Sequence, residues 1–225
     1  MSRIVIIVAT AAIALAPGGR AVADEAFEKA VVFMERNIQD GDAEVLIGAT
    51  GGNAGLTSLK VVAPDGRTVV DFKAPDSRIG MRTITVETPE PRDVQALKAD
   101  FPEGVYKFTG GTGNGGTLRS EARLTHGMPP GTTLVNPRPD GKNVPVTGLQ
   151  VRWSPVANLA AWQVTIENEA AGRDVRATLL GTANSFAVPD GFLEPGTKYK
   201  VAIGAVGKDG NKSFVESDFT TAPRK

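Results

Sequence analysis

The chain has 225 residues, 25 of them basic and 25 acidic, with no cysteine and a single histidine. Balanced charge gives no electrostatic pull toward nucleic acid or an anionic membrane surface, and the missing thiols exclude disulfides and thiolate metal ligands. Aromatic residues make up only 6% of the chain, so few rings are left for ligands once the cores are filled.

Residues 1–23 combine Arg3, an apolar run from Ile4 to Ala16 and the small-residue site Ala21-Val22-Ala23, the layout of a secretory signal peptide. The run is shorter than the ~20 apolar residues that span a bilayer, and no second such run follows. No membrane span is therefore expected after cleavage, and the expected location is the periplasm or the exterior. Cleavage before Asp24 takes Arg3 and Arg20 and leaves a net charge of −2.

The stretch "EAFEKAVVFMERN" admits two readings. Phe27, Ala30, Val31 and Met34 share a helical face, while Val31-Val32-Phe33-Met34 is also a buried-strand run. The apolar "AEVLIGA" beyond Asp40-Gly41-Asp42 favours a strand over Val31 to Arg36, joined to the next by an acidic hairpin turn. A calcium loop is the weaker reading of that turn, because an EF-hand with its glycine sixth would place Arg36 where the first carboxylate belongs. Next, "TSLKVVAPDGRTVVDFK" reads as two strands about Pro64-Asp65-Gly66, in which proline presets φ and glycine accepts positive φ. "GMRTITVET" alternates so that Ile84 and Val86 face inward. "RDVQALKAD" predicts one short helix with Val94 and Leu97 on a shared face, stopped by Pro102.

The chain has two tyrosines. Pro102 precedes Tyr106 by four residues and Pro195 precedes Tyr199 by four. Lysine follows each, then an alternating run, a glycine-bearing loop and another strand. At the second, Tyr199, Val201, Ile203 and Ala205 fall on one face, with Lys198, Lys200, Ala202 and Gly204 on the other, a period of two. Lys208-Asp209-Gly210-Asn211 then reads as a hairpin loop. A tyrosine entering a central strand of a sandwich sends its hydroxyl back to upstream backbone and closes a corner. Two such corners predict two sandwiches.

The second half adds Leu149, Val151 and Trp153 in alternation, then Trp162, Val164 and Ile166, then "DVRATLL", "NSFAVP" and "KSFVESDFTTA", with turns at sandwich-like spacing. Trp153, Trp162, the run Leu193-Glu-Pro-Gly-Thr-Lys-Tyr199 and the closing Thr220-Thr221-Ala222 resemble a fibronectin type III domain over Pro129 to Pro223. That resemblance implies structural roles for Trp153, Trp162, Leu193 and Tyr199, with Tyr106 as the counterpart in the first half. The layout of Asp40-Gly41-Asp42, Leu59 to Phe72 and Pro102 to Phe108 before such a domain is similar to secreted proteobacterial proteins of no assigned activity, a resemblance that implies no chemistry. The expected fold is all-β: a signal peptide at 1–23, then immunoglobulin- or fibronectin III-like sandwiches at 24–128 and 129–225, with one short helix in the first. Two prolines in "HGMPPGTT" stiffen the junction.

Candidate chemistry is sparse. His126 is the only imidazole base and no Gly-x-Ser-x-Gly elbow accompanies it. One histidine without cysteine does not make a conventional zinc site. Gly111-Thr112-Gly113-Asn114-Gly115-Gly116 fits the G-x-G-x-x-G pattern, but the alternating "TLRSEARLTH" that follows is strand where a nucleotide site needs a helix. The tryptophans belong to core faces, leaving Phe192 and Phe214 as the exposed rings. No cofactor and no enzymatic activity are expected, although acidic pairs for glycoside hydrolysis are too numerous to sort without distances. The expected function is non-catalytic: protein interaction or envelope assembly through loops or sheet edges. Candidate binding residues are Gly110, Thr112 and Asn114 in one loop, and Lys208, Asp209, Asn211 and Lys212 in the other. The alternative is a carbohydrate-binding module, so the partner is a protein or a glycan, not nucleic acid.

Overall fold

The computed structural model describes residues 25–224 apart from 75, 77, 79 and 92. The expected signal peptide lies outside the described residues. In the first half, β1 (Lys29–Asn37), β2 (Asp42–Thr50), β3 (Leu56–Val62), β4 (Thr68–Lys73) and β5 (Thr83–Glu87) precede α1 (Val94–Asp100), β6 (Gly104–Thr112) and β7 (Thr117–Leu124). The second half contains β8 (Leu134–Asn136), β9 (Gly141–Val144), β10 (Gln150–Trp153), β11 (Ala161–Asn168), β12 (Arg173–Leu180), β13 (Ser185–Ala187), β14 (Lys198–Val206) and β15 (Lys212–Thr221).

The ambiguous segment is strand. Its helix formers are overridden because β1 has a neighbour on each side, with β2 antiparallel and β15 parallel to it. Val32 and Met34 then point into the core while Phe33 and Glu35 take the other face. Gly41 and Gly66 hold φ of +73° and +87° at the two expected turns, a region that costs glycine nothing. The helix is capped by Asp93, whose carboxylate accepts from the Ala96 N–H at 3.0 Å. It buries Leu97 and packs Val94 against the same core.

Each half has two layers. The first packs β4-β3-β6-β7 on β5-β2-β1, and the second packs β12-β11-β14-β15 on β13-β10-β8. Strand for strand the two orders correspond, with β6 matching β14. Between the first pair lie Met34, Val45, Leu59, Tyr106, Phe108 and Leu124. Between the second lie Val151, Trp153, Trp162, Ile166, Leu193, Tyr199 and Phe219, with the two indole rings 5.5 Å apart. Both corners form. Tyr106 Oη donates to the Pro102 carbonyl at 3.1 Å. Tyr199 Oη accepts from the Glu194 N–H at 2.9 Å and donates to the Phe192 carbonyl at 3.4 Å.

The halves also share a sheet. β1 pairs in parallel with β15 through Glu35 to Lys212, Arg36 to Ser213 and Asn37 to Phe214. The layer β5-β2-β1 thereby continues into β15-β14-β11-β12. Four expectations are corrected by the structure. Ala202 and Gly204, on the face that alternation sets opposite the core-facing Tyr199 and Val201, are buried as well. Phe214 lies over Gly204 so closely that a Cβ there would come within 2.5 Å of the ring, and the same contact leaves Phe214 half-buried. Phe192 is half-buried as well, between the Tyr199 ring and the Arg173 guanidinium. Val86 stands opposite inward-facing Ile47 as expected but is 39% exposed, because it sits on the sheet's edge strand with solvent on one flank.

Candidate functional site

The hairpin between β14 and β15 is an internal clamp. Asn211 is 1% exposed. Its Oδ1 accepts from the Met34 N–H at 2.8 Å, and its Nδ2 donates to the carbonyls of Thr125 at 2.9 Å and Gly127 at 2.8 Å. One amide thus ties the start of β15 to β1 and to the segment joining the halves. Ser213 Oγ donates to the Pro129 carbonyl at 2.7 Å, and the Arg36 guanidinium reaches both Ser213 Oγ and the Pro129 carbonyl. Lys212 pairs with Glu35 and sits 4.4 Å from the centroid of the Phe33 ring. Of the residues singled out in this hairpin, Asn211 and Lys212 therefore spend their polar groups inside the chain. Lys208 and Asp209 stay at the exposed tip, where Asp209 accepts from the Thr125 hydroxyl at 2.5 Å.

The other glycine loop closes on itself. Gly110 is buried in β6, where a Cβ would come within 2.8 Å of the Phe27 ring. Thr112 is buried with its hydroxyl 2.5 Å from Asn114 Oδ1, and the Gly113 N–H donates back to the Gly55 carbonyl at 3.2 Å. Asn114 alone of the three is exposed. His126 Nε2 lies 2.8 Å from the Phe101 carbonyl, a main-chain partner where a catalytic base needs a nucleophile. Among the described residues no group of three or more His, Asp or Glu side chains converges to hold a metal ion, and no helix is long and apolar enough to cross a membrane.

At the seam between the halves, on the outer face of the shared sheet, a cleft of about 340 Å³ is lined by Glu35, Asp40, Asp42, Glu44, Glu90 and Glu216, with Arg36 and Lys200 among them. No sequence motif announces it, because its members are brought together by register. Glu35 and Glu44 stand directly opposite each other on β1 and β2. Burial first, and then the charges of Glu35, Glu87, Glu90 and Asp42, push the Glu44 carboxyl up to about 7. Burial also raises Glu216. A carboxyl that binds its proton more tightly in the folded state makes a favourable contribution that is complete below its unfolded pKa and lost as pH rises through the folded one. The wild-type melting temperature is therefore expected to fall between pH 5 and 8, and Glu44→Gln to flatten that decline. Because Glu44 is partly solvated and screened, the gain of the variant at pH 8 is about 1 kcal/mol. Equal slopes in thermal melts of the two proteins would refute the crowding.

The edges of the sheets differ in how they are finished. Along β15, β1 covers residues 212–214 and β9 pairs at Phe219 and Thr221. In the gap, Gln39 Nε2 donates to the Glu216 carbonyl at 2.7 Å and Gln39 Oε1 accepts from the Glu216 N–H at 3.2 Å, so one side-chain amide stands in for a strand's peptide group. At β7, Glu25 donates to the Thr117 carbonyl at 3.1 Å and accepts from the Arg119 N–H at 2.8 Å. The strand β12 pairs with β11 along all eight of its residues and ends the shared sheet. Leu180 at its end is 78% exposed. Open edges of this kind accept added strands; β5 ends the same sheet at its other side but has five residues against eight in β12, which makes β12 the candidate interaction site. Trp153 and Trp162 are buried, and the Trp162 indole N–H donates to the Gly181 carbonyl at 3.1 Å. Phe72 is the one ring among the exposed large hydrophobic residues, so the described residues present no platform of coplanar rings.

No protein-family model matches the chain, and no curated protein matches it. Solved structures that it resembles are consistently fibronectin type III proteins. A two-domain segment of chicken tenascin overlaps 79% of this chain and 92% of its own, at 14% identity and a TM-score of 0.34. The fn3 domain of human collagen alpha-1(XX) overlaps 45% of this chain and 91% of its own, at 24% identity and a TM-score of 0.33. Fibronectin(III)-like modules of Clostridium thermocellum CbhA overlap 90% of this chain and 93% of their own, at 9% identity and a TM-score of 0.35. These overlaps are loose. The strand order and tyrosine corner of residues 134–221 make that half a fibronectin type III-like domain.

Proposed function

We propose that the chain is a non-catalytic secreted or periplasmic binding protein, built of sandwich domains at 24–128 and 129–225, that takes up an extended segment of its partner by strand addition along β12. The observation that carries this reading is the length of the open edge: β12 and β5 both terminate the shared sheet, but β12 runs for eight residues against five in β5 and ends on the exposed Leu180. An added strand would bond main chain to main chain and place alternate side chains beside the half-buried Val175, Ala177 and Leu179. The clamp about Asn211 supports the reading, because it joins the two halves into a single platform and so limits the ordering cost of binding. The carbohydrate alternative would need a platform of coplanar exposed rings, and among the described residues Phe72 is the one ring in the exposed large hydrophobic set.

The test is selection of peptides from a random extended-peptide library, followed by amide hydrogen exchange on the complexes. Slowed exchange confined to residues 173–180 is the expected result. Protection centred on 110–116 or 208–212 instead would replace the edge with the loops.

A further inference from the structure

The side chains of β12 restrict what its edge can pair with. Asp174, Arg176, Thr178 and Leu180 lie on the outer face, and all four are exposed. Val175, Ala177 and Leu179 lie on the inner face, opposite Ile166, Val164 and Trp162 of β11. Asp174 and Arg176 form an ion pair at 2.8 Å along the strand.

Consider two copies of β12 placed side by side and antiparallel. The inner faces stay aligned only when the two-fold axis passes through a residue, since a one-residue slip turns every side chain over. An axis at Asp174 sets two carboxylates against each other. At Arg176 it sets two guanidinium groups against each other. At Ala177 it puts Asp174 against Leu180, and at Thr178 it puts Arg176 against Leu180. An axis at Val175 alone among these brings Asp174 opposite Arg176 of the second copy, and Arg176 opposite Asp174 of the second copy. The four charges then alternate in sign around the axis, and Val175 meets its own counterpart on the half-buried face. Directly opposed unlike charges favour a pairing, and like charges oppose it. The charged residues that would blunt this edge toward arbitrary strands thus admit one self-complementary register.

We propose that two copies of this chain associate through β12, antiparallel and with the two-fold axis at Val175, so that the shared sheet continues from one copy into the other. This inference rests on the reading of β12 as a recognition edge and names a second copy as the strand that it accepts. The paired span, residues 173–177, is short, so the association is reversible.

The chain has no cysteine, which makes Val175→Cys a clean probe. Residues opposed across an antiparallel pair have Cα atoms about 4.5–5.5 Å apart, within disulfide reach. Mild oxidation of V175C is expected to yield a covalent dimer with a near-parental melting temperature, while K208C at an exposed turn stays monomeric. Adding R176D opposes two carboxylates at each position and is expected to lower the cross-linking rate about tenfold. The charge swap D174R/R176D restores it, which a merely local perturbation would not do. Sedimentation of the same charge variants with Val175 intact reads the association independently of the thiol. Cross-linking of V175C no faster than K208C, or a swap that fails to restore it, overturns the dimer. If selected peptides still protect residues 173–180 in that case, the edge reading survives and a foreign strand is its partner. If they do not, both readings fall.

Discussion

Replacing Asn211 with aspartate is expected to destabilise the protein by about 3–5 kcal/mol, the cost of burying a charge without a partner. The Asn211 side chain bonds β1, the connecting segment and its own hairpin at once. Its Nδ2 faces the Thr125 and Gly127 carbonyls, so a carboxylate oxygen in its place would meet two acceptors and the nearby Asp209 carboxylate. Asn211→Ala removes the charge problem but leaves the Met34 N–H and those carbonyls without partners, and is expected to cost about 2–4 kcal/mol. Urea unfolding followed by tryptophan fluorescence measures both. The two tryptophans lie in the second core, so a far-ultraviolet circular dichroism transition that separates from the fluorescence transition would report that the halves unfold independently. A loss below 1 kcal/mol for both variants would mean that the halves are held by something other than this amide.

The second large effect is expected at the corner. Tyr199→Phe keeps the ring, which stacks on Phe219 with centroids 5.5 Å apart and contacts Phe192 at 5.8 Å. It deletes only the hydroxyl that accepts from the Glu194 N–H and donates to the Phe192 carbonyl. A partly buried main-chain donor left unpaired costs about 2 kcal/mol, so thermal melts are expected to shift down by several degrees. Tyr106→Phe loses a single donated bond to Pro102, and its acceptor keeps a second lone pair; about 1 kcal/mol is expected there. Losses near zero at both tyrosines would show that the corner's worth lies in the ring and not in the hydroxyl.

The two corners were legible because the tyrosine, its preceding proline and the partner carbonyls lie within a few residues of one another. Burial of Trp153, Trp162 and Val201 followed from alternation, which depends only on successive side chains pointing to opposite faces. The same logic failed at Ala202 and Gly204: alternation assigns a face, whereas cover depends on what the neighbouring strand lays across it. It failed again at Asn211 and Lys212, whose turn-like surroundings concealed partners far away in the chain. The edge position of β5 that exposes Val86 and the free edge of β12 were likewise invisible, since neither is a property of its own segment.

From the chain alone came the all-β class, the turns and the duplicated corner, each written in residues close together in sequence. Tertiary structure decided that β1 lies against β15, and with it the clamp, the carboxylate seam and the closing of one edge. The β1 to β15 contacts join residues 177 apart, as in the bond from Met34 to Asn211. Pairing over such a distance is chosen by the register and shape of two folded sandwiches, whose mutual fit no local pattern encodes.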